Sequence, residues 1–290
     1  MRKILKYICS LFLITVAVAY LLDFVFTTIY INSKPRNKIA LAYGGKVEDY
    51  DVIFLGSSRT NNHFVAQEFI DHGYKSYNYG MSGSRLEESA LLLNLLLEKG
   101  TKIKNVVLEV DLNINSNGFS DGTRAFFYPY LTNSKTISNY YSNVPEYNQF
   151  YYVPFYRYLK YDAKIGFREL FFTAIEKPSR VLQFNGFYAL TNTGKEMSFD
   201  LSGYTPKKNF GYEKIKELCK KYNVNLISVT TPMCENTKNI AYFDAVVKLY
   251  PEIHNLENVV KEDQYFSSCG HMNEKGAKLF TLYVMNKFFK

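Results

Sequence analysis

Hydrophobic positions are densest at the N-terminus. In residues 7–32 Asp23 is the only charged side chain, and apolar residues occupy every face of a helical projection. Such a helix would be about 39 Å long at 1.5 Å per residue, against a bilayer hydrocarbon core of roughly 30 Å. Past residue 38 the pattern becomes an alternation. Residues 51–55 (Asp-Val-Ile-Phe-Leu) read as a short buried strand closed by Gly56-Ser57-Ser58-Arg59, followed by a helix over about 65–71. A second strand at 75–79 runs into Asn78-Tyr79-Gly80-Met81-Ser82-Gly83-Ser84, and 85–98 has the Leu and Glu content of a helix stopped by Gly100. A third strand at 105–110, a helix at 212–221, a fourth strand at 224–230 and a last helix at 273–289 complete the pattern. Strands alternating with helices predict an α/β domain with a parallel sheet, whose ligands bind beyond the carboxyl ends of the strands.

Residues 112–210 break the alternation. They have no clean period, and Pro129, Pro145 and Pro154 interrupt any long helix. Fourteen aromatics lie between Phe126 and Tyr161. We expect short helices and loops forming a Tyr-rich cap insertion over the sheet edge. Its rings serve either as the cap's own core or as a platform for glycans or acyl chains, since Tyr joins an apolar face to a polar tip. The predicted organisation is an anchor with its flanks at 1–38 and one domain at 39–290.

Composition sharpens this picture. The chain has 290 residues, net charge +8, 26 Tyr, 23 Phe and no Trp. A basic, aromatic chain suits nucleic acid, a membrane surface or carbohydrate. Six basic residues and one acid within positions 1–38 hold +5 of that charge, so the remainder carries only +3. The insertion offers Lys135, Arg157 and Lys160 but no dense basic stripe, which argues against nucleic acid. Ala17-Val18-Ala19 has the small-x-small form of a signal-peptidase site, yet the apolar run continues beyond it, and we expect an uncleaved single-pass anchor. Three basic residues on each flank leave the positive-inside bias weak, and a lone N-terminal span most often places its domain on the extracytoplasmic side. Asp23 would then reach water at the outer interface or pair with a basic group of a membrane partner.

Of the four cysteines, Cys9 lies in the span, and none has the spacing of a zinc site. Cys219 with Cys234 is one pairing the remaining three allow, leaving an odd thiol. The candidate chemistry sits in the post-strand loops and before the last helix. A serine after a strand and tight glycine turn faces the amides of the next helix start, which suit an oxyanion. The glycines of Asn78-x-Gly80-x-x-Gly83 allow close backbone approach. His271, ahead of a helix with Asn273 as its expected N-cap, is placed to serve Ser58 as general base.

On these residues the sequence resembles the SGNH or GDSL hydrolase superfamily across residues 50–111 and 224–290. Its Gly-Asp-Ser block corresponds to Gly56-Ser57-Ser58, its second block to Asn78 through Gly83, and its Asp-x-x-His block to Ser268-Cys269-Gly270-His271, followed by a matching His-x-Asn-x-x-Gly-Ala. The resemblance implies a flavodoxin-like three-layer sandwich with Ser58 as nucleophile, His271 as base and the Gly83 amide as oxyanion donor, with neither metal nor organic cofactor. The Gly-Ser-Ser-Arg variant and single span look most like membrane-tethered envelope proteins. Those act on acylated polysaccharides with membrane-bound O-acyltransferases, or resemble the D-alanine transfer protein of teichoic acids. Two positions depart from the pattern. Ser268 stands where the family has its acid, leaving Asp263 or a backbone carbonyl to hold the imidazole. Asp111 stands where an oxyanion-hole Asn belongs, with Asn113 as the substitute if the strand continues that far. The expectation is therefore a Ser-His centre that hydrolyses or transfers an acyl group, acetyl foremost, on an envelope polysaccharide. The alternative is a non-catalytic accessory subunit that presents glycan to a membrane transferase.

Overall fold

The computed structural model describes residues 1–289. It divides into two compact units, Met1–Gly45 with Arg124–Pro178, and Lys46–Thr123 with the chain from Ser179 onward. The middle of the expected cap thus groups with the N-terminal helix.

The second unit carries the predicted α/β alternation. Its parallel sheet has strands β1 (Tyr50–Leu55), β2 (Ser76–Asn78), β3 (Ile103–Glu109) and β4 (Asn225–Val229) in the order β2-β1-β3-β4. Phe54 is in register with Asn78 and with Val107, and Val107 with Ile227, so all four carboxyl ends share one edge. Residues 52–55 and 106–108 are completely buried, as an apolar run covered on both faces requires. On one face Val52, Phe54, Val107 and Val229 pack with Phe64, Phe69, Phe280 and Val284. The last helix, Glu274–Phe288, starts at Asn273, whose side chain accepts from the Gly276 amide as expected of an N-cap. Just before it, β5 (Phe266–Ser268) and β6 (His271–Met272) form a small antiparallel hairpin.

The first unit is built on the N-terminal helix Arg2–Asn32, which has a mean hydropathy of 2.3 in its most apolar window and is long and apolar enough to cross a membrane. Its early turns are exposed, whereas Phe26 and Tyr30 are buried against Phe155, Tyr158 and Phe167. Of the fourteen aromatics between Phe126 and Tyr161, seven are buried, so much of the aromatic bias is this unit's own core. Asp23 has a partner within the chain. Its carboxylate accepts from Arg157 Nη2 at 2.8 Å and from the Phe155 amide at 2.7 Å. Arg157 is therefore an internal counter-ion and adds nothing to a nucleic-acid surface.

Removing one member of a desolvated ion pair strands the other. Asp23→Ala should destabilise the first unit by about 3 kcal/mol, seen as faster limited proteolysis within residues 124–178. The double change with Arg157→Ala should cost less than the sum of the two.

Candidate active site

The carboxyl edge of the sheet gathers the predicted residues. β1 ends at Leu55 and the chain turns through Gly56, at φ +142°, into the short helix Ser58–His63. A Cβ at Gly56 would lie 2.2 Å from Thr60 Oγ1 and 2.8 Å from Glu109 Oε2, so only glycine fits this turn. Glu109, buried at the end of β3, accepts from the Ser57 amide at 2.8 Å and the Ser57 hydroxyl at 2.6 Å. That grip leaves Ser58 as the hydroxyl facing outward. Its Oγ lies 2.8 Å from His271 Nε2, the distance of a nucleophile and its base.

Gly80 sits where a Cβ would meet the Asn61 amide nitrogen at 2.5 Å, and Asn78 braces this crossing. The Asn78 side chain donates to the Thr60 and Phe64 carbonyls and accepts from the Gly80 amide. Gly83, at φ +78°, is exposed beside Ser58. Asn113 also reaches this place, by a different route from the expected strand face: β3 ends at Glu109, and Asn113 belongs to the 3-10 helix Leu112–Asn115. Ser58, Gly83, Asn113 and His271 line one cleft of about 270 Å³ together with Ser57, Arg59, Ser84, Arg85, Glu109 and Leu112.

Asp111 does not face this cleft. It is fully buried, paired with Arg59 Nε at 2.9 Å, and accepts from the Thr231 amide at 2.7 Å and hydroxyl at 2.6 Å. Burial pushes its pKa up, against the pull of the Arg59 charge that holds it as a carboxylate. Arg59 also donates to the Thr231 and Pro232 carbonyls. His63, which the sequence reading passed over, extends the network. Its Nε2 accepts from the Met272 amide at 3.0 Å, so Nδ1 carries the proton and donates to Thr231 Oγ1 at 3.0 Å. Its signal was available as a histidine five residues after Ser58, on the same short helix.

Ser268 Oγ lies 3.4 Å from His271 Nδ1, long for a hydrogen bond, and Ser268 is exposed. Asp263, the other expected support, instead accepts from the Glu235 amide. Burial, with a smaller contribution from the Arg59 charge, pushes His271 down to about 4. The imidazole is therefore neutral and able to accept a proton at pH 7, but it is a weak base. The disulfide joins Cys234 to Cys269, in the turn between Ser268 and His271, while Cys219 is buried and free, so the Cys219–Cys234 pairing is not formed.

No family model matches the chain, and no curated protein matches it. Among solved structures, a chain from Streptococcus pneumonia provisionally described as a platelet activating factor is similar over 98% of this chain and 99% of its own, with 11% identity and a TM-score of 0.33. A likeness this distant carries no functional weight.

Three outcomes follow for the hydroxyl and its base. Labelling of Ser58 by a serine-directed fluorophosphonate should persist as pH falls and decline only near pH 4, where His271 takes up a proton. Ser268→Asp should raise the His271 pKa, move that limb toward about 6.5 and speed labelling at neutral pH by at least roughly tenfold. Cys269→Ser, which unties the turn beside His271, should slow labelling roughly tenfold through lost positioning, with Ser58→Ala as the zero.

Proposed function

We propose that this protein is a membrane-anchored, SGNH-type serine acyl hydrolase or acyltransferase acting on an acyl ester of a cell-envelope polysaccharide. The observation that carries the reading is the 2.8 Å contact of Ser58 Oγ with His271 Nε2 at the carboxyl edge of a parallel sheet. Ser58 attacks the ester carbonyl while His271 Nε2 takes its proton. The developing oxyanion is held by the Ser58 and Gly83 amides and the Asn113 side chain. His271 returns the proton to the departing sugar oxygen, leaving an acyl-serine. Water or a second sugar hydroxyl, deprotonated by His271, resolves it.

The cleft speaks to the acyl group. At about 270 Å³, with Leu112 the single large apolar side chain on its wall, it fits an acetyl group and offers no lining for a long chain. The N-terminal helix supports membrane attachment, and the Cys234–Cys269 disulfide supports an oxidising, extracytoplasmic setting. A membrane-bound O-acyltransferase is the partner this reading expects.

A second reading, a non-catalytic accessory subunit that presents glycan to such a transferase, is favoured by one observation: the group behind His271 is an exposed hydroxyl at 3.4 Å in place of a carboxylate. The full chain in detergent micelles separates the two. The enzymatic reading expects turnover of a small acetyl ester that falls by about 10³-fold or more with Ser58→Ala. The accessory reading expects no turnover, with glycan binding that is lost on substitution of Tyr151 or Tyr156.

A further inference from the structure

The first unit has an exposed apolar rim beside the N-terminal helix, and the helix indicates what covers it. From Lys6 to Asp23 the helix rises about 26 Å, close to a hydrocarbon core of roughly 30 Å, so a span entering at Lys6 ends near Asp23. At that level the insertion closes on the helix. The Phe155 amide is bonded to Asp23, and Tyr152 and Pro154 share with Tyr20 and Phe24 a groove of about 480 Å³. Tyr152 is 70% exposed and Val153 46%. One turn further along the helix, the Phe167 ring packs on Phe26 at 4.9 Å yet stays 57% exposed. Tyr152 adjoins the apolar surface of Phe24, itself 68% exposed.

The charges around the rim have the matching arrangement. Asp23 is the one acid of the span, and Arg157 neutralises it. Lys164 and Arg168, three residues before and one after Phe167, are exposed and rest on the rings of Phe126 and Phe172. Apolar and aromatic tips with cations behind them suit the boundary between acyl chains and phosphate headgroups.

We propose that Tyr152, Val153 and Phe167 insert into the lipid interface of the bilayer that the N-terminal helix crosses, with Lys164 and Arg168 on lipid phosphates. The first unit is then a collar seated on the membrane as well as a domain tethered to it. This rests on the reading of the helix as a retained span, and the test keeps the two apart. The chain contains no Trp, so one introduced indole is a unique reporter. Full-length protein carrying Tyr152→Trp or Leu13→Trp is reconstituted in phosphatidylcholine and phosphatidylglycerol vesicles. The lipids are brominated either near the glycerol end or near the methyl end of their acyl chains. Leu13→Trp reports the span and should be quenched by the deep bromines. Tyr152→Trp should lose about half of its fluorescence or more to the shallow bromines and much less to the deep ones, as expected of an interfacial ring. Quenching of Leu13→Trp without quenching of Tyr152→Trp overturns the collar and leaves the anchor standing. Absence of quenching at Leu13→Trp overturns the anchor and the collar with it.

Discussion

The carboxyl edge of the sheet hangs on one buried ion pair. Arg59 follows the candidate nucleophile directly, and its guanidinium turns inward to Asp111 and to the Thr231 and Pro232 carbonyls. That single side chain joins the turn after β1, the end of β3 and the segment after β4. Thr231 passes the connection on, donating its hydroxyl to Asp111 and accepting from His63, which holds the Met272 amide next to His271. The 2.8 Å contact between Ser58 and His271 is thus set from beneath by a continuous polar network. Every link is buried, so losing one partner strands a charge or a donor at a cost of several kcal/mol.

The network also accounts for what was legible in the sequence. The four strands, the turn at Gly56, the glycine loop through Gly83 and the Asn273 cap follow from local signals: apolar runs, turn residues and a capping side chain. The Ser58–His271 pairing, across 213 positions, was legible only through the strand order and the family resemblance. Asp111 is different, because its role depends on Arg59 and Thr231, which lie 52 and 120 positions away. From its neighbours alone it reads as a carboxylate threatening an oxyanion. Asn113 was located for the wrong reason, since the chain leaves the strand at Glu109 and a 3-10 turn delivers the side chain. The Cys234–Cys269 link escaped for the same reason as Asp111. It joins the segment after β4 to a hairpin whose existence no periodicity announces, strands of three and two residues being too short to show one.

The insertion teaches the converse lesson. Its composition was plain, but an aromatic run does not say what it packs against. Phe26, Tyr30 and Asp23 are the positions of the N-terminal helix that answer it, two through ring packing and one through charge. In an otherwise apolar helix, one acid without a basic neighbour at helical spacing is a demand for a distant cation. Arg157, set among buried aromatics, is a cation with the matching demand.

The two functional readings differ in one quantity, the free energy of the imidazolium at position 271. A serine attack needs His271 to gain a proton as the oxyanion forms, and the worth of a general base falls with its affinity for that proton. The cluster that positions His271 also weakens it: burial removes water, Arg59 adds a nearby positive charge, and the Asp111 charge is directed at Arg59 and Thr231. Glu109, beneath Ser57, adds a carboxylate close to the place where negative charge would build. On the enzymatic reading, such a centre would keep the geometry of acyl transfer while lowering its rate in both the acylation and deacylation steps, because the same imidazole would serve each. On that reading the partition of an acyl-serine between water and a sugar hydroxyl would be set by which of them occupies the polar cleft, and the overall rate by what stands behind Nδ1. In this chain that place belongs to Ser268, an exposed hydroxyl 3.4 Å away that carries no charge to set against an imidazolium.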